Sequence, residues 1–531
     1  MCAVDRGGVP PPSSDAYDVV VVGAGVAGSA LAYALGSDGR RVACIERDLS
    51  EPNRIVGELL QPGGYLRLKQ LGLEGAVEGI DSQRISGYAI FMDEGAVAVD
   101  YPVKHVDAPQ AEGEELQRML REASATTTEG LSSSLGDKRG PGEEEFKVPV
   151  DKLVQGRSFH HGRFIRRLRE LAGAQPNVTM IEGTVNALLE EEGGKKGEKA
   201  VVGVGYKSSK GGQHRQAWGK LTVICDGYAS RFRSQVNPGA SYDVTSHFVG
   251  YVLKTSELPH GRKGHVILAE PSPVLFYPIS STEVRCLVDI QGPMPKQSDG
   301  SLARHMHEAI APQLPEVLRA PFLAAVDEGN ARSMPNKQMP AKPVFRKGCL
   351  LLGDSFNMRH PLTGGGMTVA LSDVRLIQTL LRSVPDLEEP ARMSGMQQVF
   401  YAARKSHSSA INTLAGALYE VFCTREGDEP HAIMRQACFD YLALGGDASA
   451  GPVGLLSGLD PRPHVLIYHF FAVAVFGVGR LLRRGWLQLP SSLLTAFLLL
   501  LGAARIILPI ALKEGTRAFL PFPKSSKTVA F

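Results

Sequence analysis

The run Tyr17-Asp18-Val19-Val20-Val21-Val22-Gly23-Ala24-Gly25-Val26-Ala27-Gly28 decides the fold. Its β-branched half has the pattern of a buried parallel strand. Its glycine half fits G-x-G-x-x-G and leads into a helix predicted over 23–35. Glycines there permit a tight turn and let a pyrophosphate approach the first amides of the helix. Residues 41–46 read as a second buried strand, and Glu46 closes it 18 residues after Gly28. A carboxylate at that point accepts hydrogen bonds from the ribose hydroxyls of an adenosine. This is the start of a βαβ dinucleotide-binding lobe, and by itself it does not separate NAD from FAD.

The separation comes from Gly353-Asp354, which follows the apolar strand Cys349-Leu350-Leu351-Leu352. A carboxylate at a strand end can bind ribityl hydroxyls, which NAD lacks. Downstream, Gly364-Gly365-Gly366 opens a helix near Met367. The free amides and positive dipole end of that helix suit the electron-rich edge of a reduced flavin. Two separated motifs therefore agree on FAD. Asp226-Gly227 ends a third strand-like run and, taken alone, reads equally well as an ordinary turn.

Outward from these motifs the chain divides into a disordered lead-in (1–16), an FAD-binding region in three parts (17–104, 146–235 and 346–385), a low-complexity insertion (105–145), a substrate region (236–345), a helical region (386–463) and C-terminal hydrophobic helices (464–531). The insertion holds Glu-Gly-Glu-Glu, Ser-Ser-Ser and Gly-Pro-Gly-Glu-Glu-Glu runs, too polar to offset its ordering entropy. A second solvated loop is expected at 190–199. Residues 248–253, 265–268, 274–278 and 283–290 alternate and predict an antiparallel sheet, a plausible substrate platform. Residues 368–384 and 391–420 have helical patterns. The fold class is thus α/β, with a Rossmann-type lobe, an antiparallel-sheet lobe and a helical tail.

Composition narrows the partners. A net charge of +3 over 531 residues is nearly balanced and implies no nucleic-acid partner. The seven cysteines include no C-x-x-C pair. Reduced thiols in a cytosol-facing protein are expected, with Cys44 and Cys225 behaving as small core hydrophobes. His160-His161 has no accompanying cluster of cysteines or carboxylates; no metal is expected, and the pair reads as structural.

Together the three motifs resemble the group A flavoprotein monooxygenases, the fold of p-hydroxybenzoate hydroxylase. The resemblance narrows at 45–48, 51–58, 60–65, 159–164, 246–250, 271–275, 444–446 and 451–457. It is densest in Asn357-Met358-Arg359-His360-Pro361-Leu362-Thr363-Gly364-Gly365-Gly366-Met367-Thr368. All of these are similar to the squalene epoxidase family, over about residues 17–476. The short N-terminus and the insertion depart from it; some members carry a long N-terminal regulatory extension.

The resemblance implies an activity: epoxidation of squalene to (S)-2,3-epoxysqualene with O2, a step of sterol biosynthesis. It implies FAD as cofactor and NADPH-cytochrome P450 reductase as electron donor. It also implies a place at the endoplasmic reticulum membrane, or another internal one, with the catalytic domain facing the cytosol. The implied cofactor contacts are Gly23, Gly25, Val26, Ala27, Gly28, Glu46, Arg47, Arg54, Val185, Asp226, Gly353, Asp354, Pro361, Gly364, Gly365, Gly366 and Met367. To these it adds Arg169 or Arg163, with Arg169 favoured. Tyr88 would orient the flavin and border the substrate.

Squalene offers no acidic proton and no polar handle, so no acid, base or nucleophilic side chain is required; the oxidant must come from the cofactor. The expected pocket walls are apolar: Phe276, Tyr277, Pro278, Leu287, Phe345, His360, Pro361, Leu362, Phe422 and Leu455. Residues 464–479 and 491–512 are apolar, with Arg480, Arg483 and Arg484 between them. A hairpin dipping into one leaflet is expected, its arginines reaching headgroups, against the alternative of helices packed on the core. Competing functions are an aromatic-ring hydroxylase, a polyprenyl reductase or a non-catalytic prenyl-binding escort.

Overall fold

Val19 to Val22 are buried because their strand has neighbours on both sides. In the computed structural model, β1 (Tyr17–Val22) pairs in parallel with β2 (Val42–Glu46) and with β10 (His214–Ile224). Adding β8 (Val178–Glu192) beyond β2 and β16 (Cys349–Leu351) beyond β10 gives the parallel layer β8-β2-β1-β10-β16. The ends of β8 and β10 run past this layer and pair antiparallel with β9 (Lys199–Ser208). The structure describes residues 16–102, 154–192, 199–424, 427–482 and 489–514. The insertion at 105–145 and nearly all of the lead-in therefore lie outside the described residues. The solvated loop expected at 190–199 is shorter than predicted, since Glu190, Glu191 and Glu192 still pair with β9.

Three helices cover the parallel layer. The helix after the glycine turn, α1 (Val26–Ser37), packs between α2 (His161–Gly173) and α3 (Gly366–Arg382). The second sheet runs β15 (Arg332–Gln338), β11 (Asp243–Leu253), β14 (Val284–Ile290), β13 (Val274–Pro278), β12 (Gly264–Ile267), β5 (Gly87–Met92), β6 (Gly95–Asp100). All its pairings are antiparallel except β12 with β5. Strands β5 and β6 belong to the second sheet, although they fall within 17–104, the expected first part of the FAD-binding region. The expected alternation is also absent: every residue of β13 and β14 is buried. Leu302, Met306, Leu318 and Phe322 cover one face, and the helical region covers the other through Phe422 and Met434.

The helical run predicted over 391–420 is two helices, Pro390–Ala403 and α4 (Lys405–Phe422), meeting at Arg404. The buried Arg404 guanidinium is held by both carboxylate oxygens of Asp373, at 3.1 and 2.9 Å. After α5 (Glu429–Ala443) come α6 (Pro463–Leu482) and α7 (Leu489–Glu514), each long and apolar enough to cross a membrane. One face of this pair is buried on α4 and α5, through Ala474, Leu499, Ala503 and Ile507. The other leaves Tyr468, Val475, Leu494, Phe497 and Leu508 exposed. Packing on the core thus holds for one side of the hairpin, while the other side is apolar and exposed. Arg480 forms an ion pair with Asp440 of α5 instead of standing free; Arg483 and Arg484 lie outside the described residues. The six described cysteines are buried and unpaired, and burial pushes the Cys44 thiol up to about 12.

Candidate active site

The two sheets meet over a cavity of about 1080 Å³. At one end the glycine turn sets its floor. A Cβ added to Gly28 would stand 1.8 Å from the Gly23 carbonyl oxygen, so only glycine lets α1 close on β1. A Cβ on Gly25 would meet nothing within 4 Å; that side of the turn is open to the cavity. The Glu46 carboxylate accepts from the Ala24 amide at 2.8 Å and lies 3.8 Å from the Arg169 guanidinium. Arg169 donates from Nε to the Ala24 carbonyl at 2.9 Å and from Nη1 to that of Ser50 at 2.8 Å. Arg163, on the same helix, reaches instead toward the Ile80 carbonyl and does not line the cavity. Arg47 and Val185 line this end.

The other end is built by the turn after β16 and the start of α3. Gly353 has φ of +65°, which favours glycine, and Asp354 follows it into the cavity wall. Arg233 donates to the carbonyls of Asp354 and Ser355, both at 2.9 Å, and so fixes the turn. Asp354 is exposed to the cavity; the protein packed around the cavity raises its carboxyl above the usual carboxylate range, while the Arg359, Arg54 and Arg233 guanidiniums pull it back. Asp226 lines the same region; one oxygen accepts from the Arg231 amide at 2.9 Å, and burial raises its carboxyl too. Pro361, Gly364, Gly366 and Met367 line the cavity. Gly365 does not: it faces Ile411, whose Cγ2 would lie 2.4 Å from an added Cβ.

Tyr88, on β5, is buried in the cavity wall with its ring edge-on to Tyr101. Its hydroxyl makes no hydrogen bond of good geometry among the described residues, though the Tyr101 and Gln61 side chains lie close to it, and burial holds the phenol in its neutral form. Phe276, Tyr277, Leu287, Pro361 and Leu362 line the cavity as expected; five expected walls do not. Pro278 lies past the lining part of β13. Phe345 is exposed. Phe422 is buried against the second sheet, and Leu455 is buried among helices. His360 sits behind the wall, stacked on Tyr419, with Nδ1 accepting from the Leu362 amide and Nε2 3.1 Å from the Ser246 hydroxyl. His160 pairs with Glu283 at 2.8 Å, and His161, which lines the cavity, has Nδ1 2.9 Å from the Gly57 carbonyl.

Several residues at or behind the cavity wall were not among the expected site residues. Glu58 and Arg285 form a buried ion pair at the wall, joined by the Tyr277 hydroxyl. Gln61 accepts from Tyr101 at 3.0 Å and donates to the Thr363 carbonyl at 2.9 Å, tying the Tyr88 corner to the turn before α3. Arg359 lines the cavity and is held by Asn357 at 3.0 Å. Glu58, Gln61 and Arg359 all lie in segments of family resemblance, the one signal that marked them.

The family model described as Squalene epoxidase matches residues 218–494, and one described as FAD dependent oxidoreductase matches 18–346. Squalene monooxygenase SE2 of Panax ginseng is 49% identical, over 95% of this chain and 83% of the relative. Squalene epoxidase 3 of Arabidopsis thaliana is 48% identical, over 98% and 89%. The mouse squalene monooxygenase is 41% identical, over 94% and 78%. This chain belongs to the squalene epoxidase family. The expected resemblance therefore holds and extends beyond residue 476. Among solved structures, the flavin-dependent brominase Bmp2 superposes with a TM-score of 0.59 at 16% identity, over 87% of this chain and 98% of that one. The p-nitrophenol 4-monooxygenase PnpA of Pseudomonas putida gives 0.59 at 15%, over 83% and 96%. They share the fold.

As a squalene epoxidase family member the chain is an FAD-dependent flavoprotein, and its cavity fits that cofactor. The open side of Gly25 admits a pyrophosphate. Glu46 and Asp354 put carboxylate acceptors into the cavity wall, one toward each end. Three buried polar atoms in the wall, Tyr88 Oη, Asp226 Oδ1 and Arg359 Nε, make no hydrogen bond of good geometry among the described residues. A polar ligand inside the cavity would satisfy atoms that are otherwise costly to leave bare.

Proposed function

We propose that this protein epoxidises squalene to (S)-2,3-epoxysqualene, consuming one O2 and one NADPH and releasing water. The observation that carries the proposal is one cavity that joins a dinucleotide cradle to an apolar wall across Tyr88, in a chain with family relatives that act on squalene. Bound FAD supplies the electrons and the activation of O2; the side chains bind, orient and exclude water. Glu46 and Arg169 hold the adenosine end, and Asp354 holds the ribityl chain. The N-terminus of α3, at Gly366 and Met367, would offer free amides and the positive end of a helix dipole to the electron-rich edge of a bound reduced flavin. Tyr88 positions the ring beside the alkene. Phe276, Leu287 and Leu362 face one terminal double bond and keep the site dry, so that reduced cofactor and O2 are spent on the alkene.

Electrons come from NADPH through NADPH-cytochrome P450 reductase. The exposed side of the α6–α7 hairpin lies in one leaflet of the endoplasmic reticulum membrane, with the catalytic lobes facing the cytosol. A bilayer-borne hydrocarbon then enters without crossing water. Oxygen uptake tests the reading: with NADPH and reductase present, uptake should depend on added squalene and match epoxide formed. Squalene-independent uptake with no epoxide would overturn it.

A further inference from the structure

Four cations stand where the cavity opens. Arg54, Arg231 and Arg332 are exposed and Lys337 is half-buried, and all four line the cavity. Among the described residues, none has a carboxylate within ion-pair distance. Lys337 Nζ lies 5.2 Å from the Tyr228 ring centroid and 4.1 Å from that of Tyr242. The Arg54 guanidinium sits over the same Tyr228 ring at 5.7 Å. Arg332 and Lys337 belong to β15, the edge strand of the second sheet. Beside them, Tyr242 just before β11 and Val244 near its start are 45% and 48% exposed, and Val244 pairs with Lys337 in register.

Unpaired cations gathered on one rim repel one another, and a complementary anionic surface relieves that repulsion. Tyrosines and arginines beside exposed apolar side chains are also the mixture found at protein interfaces. Tyr242 and Val244 extend the patch outward from the opening, which favours a protein surface over a small anion. We propose that this rim, Tyr228, Arg231, Arg332, Lys337, Tyr242 and Val244, is the docking surface for an acidic electron-donating protein. This rests on the reading that the FAD is reduced by a partner. In the balanced step NADPH gives a hydride to the donor and becomes NADP+. Two electrons then pass to the FAD of this chain, which takes up two protons, one of them from solvent. The rim places the donor at the same opening that leads to Asp354. Charge complementarity of this kind raises association rates and makes them fall with salt.

The test uses the full chain carrying R332E/K337E, two positions outside the proposed cofactor contacts. With NADPH-cytochrome P450 reductase as probe, the apparent KM for reductase should rise at least tenfold, and rates should lose most of their salt dependence. FAD occupancy should be unchanged. So should epoxide yield in a single turnover, when the flavin is photoreduced and then mixed with O2 and squalene. An unchanged KM for reductase overturns the docking surface. Reductase-free reduction of the wild type by NADPH, with a KM for NADPH that the variant raises, also overturns it, in favour of a nucleotide site. If charge reversal lowers FAD occupancy, R332Q/K337Q is judged by the same criteria with a smaller shift. Wild type that makes no epoxide after photoreduction sinks the epoxidase reading alone; docking is then judged from the rate at which reductase bleaches the flavin.

Discussion

Arg285 Nε and Nη2 each lie 2.8 Å from a different carboxylate oxygen of Glu58, and both residues are almost wholly buried. The pair joins the second sheet to the segment before β3 (Leu59–Leu60), with Glu58 in the cavity wall and Arg285 behind it. Removing one partner strands the other charge away from water. Glu58→Leu should therefore destabilise the fold by ~3–5 kcal/mol. Glu58→Leu with Arg285→Met should recover much of that loss, because neither charge is then left alone. Urea unfolding of the single and double variants measures it; a single variant as stable as wild type would remove the pair from the wall's support.

At the cofactor's two ends, Asp354→Ala and Glu46→Ala should each weaken FAD binding by roughly ~1.5–3 kcal/mol, the range for hydrogen bonds involving a charged group. Flavin absorbance of purified protein and titration of the apoprotein read this out. Full occupancy and unchanged affinity in Asp354→Ala would take the ribityl contact away from that residue.

Arg169 and Arg163 offer a sharper contrast. Arg169→Ala should loosen FAD severalfold, since it removes both the bond to the Ala24 carbonyl and the charge beside Glu46. Arg163→Ala should leave FAD affinity within twofold of wild type. Equal losses in the two variants would contradict the placement of Arg169 alone at the cavity.

The bare Tyr88 hydroxyl makes its own prediction. Tyr88→Phe removes no protein hydrogen bond of good geometry among the described residues, so its melting temperature should stay within a few degrees of wild type. Epoxidation should nevertheless slow, because the hydroxyl is assigned to the bound cofactor. Tyr88→Ala should also open the wall, raising the share of NADPH that ends as hydrogen peroxide. Normal rate and tight coupling in Tyr88→Ala would reduce Tyr88 to a packing residue.

For the hairpin, Leu494→Glu, Phe497→Glu and Leu508→Glu together should release the protein from lipid vesicles. Each is an exposed position, where substitution usually costs no more than about 0.5 kcal/mol of stability. Sedimentation with vesicles should fall severalfold while the melting temperature holds. Undiminished sedimentation would place the anchor elsewhere.

The parts legible in the sequence were those where backbone crowding fixes a local pattern. Gly28 must be glycine against Gly23, and Glu46 and Asp354 close strands at set distances from their motifs, so both ends of the cradle could be read directly. The two arginines could not be separated by reading. They stand six residues apart, about 240° around an α-helix, and which side faces the cavity depends on how α2 packs. Alternation failed in β13 and β14 because helices cover both faces. His360, Phe422 and Leu455 looked like pocket walls because they are apolar or lie beside lining residues, yet each is one layer behind. Lys337 and Tyr228 carry no periodic signal; only the register of β15 against β11 and the turn after Asp226 bring them to one rim.

Delivery of one oxygen atom of O2 to an alkene of squalene is the step on which the assigned activity rests. Purified protein, squalene, NADPH, NADPH-cytochrome P450 reductase and heavy-isotope O2 should give 2,3-epoxysqualene carrying one labelled oxygen, with one NADPH oxidised per epoxide. Squalene recovered unchanged, a hydrogenated product formed without O2, or an epoxide lacking the label would contradict it.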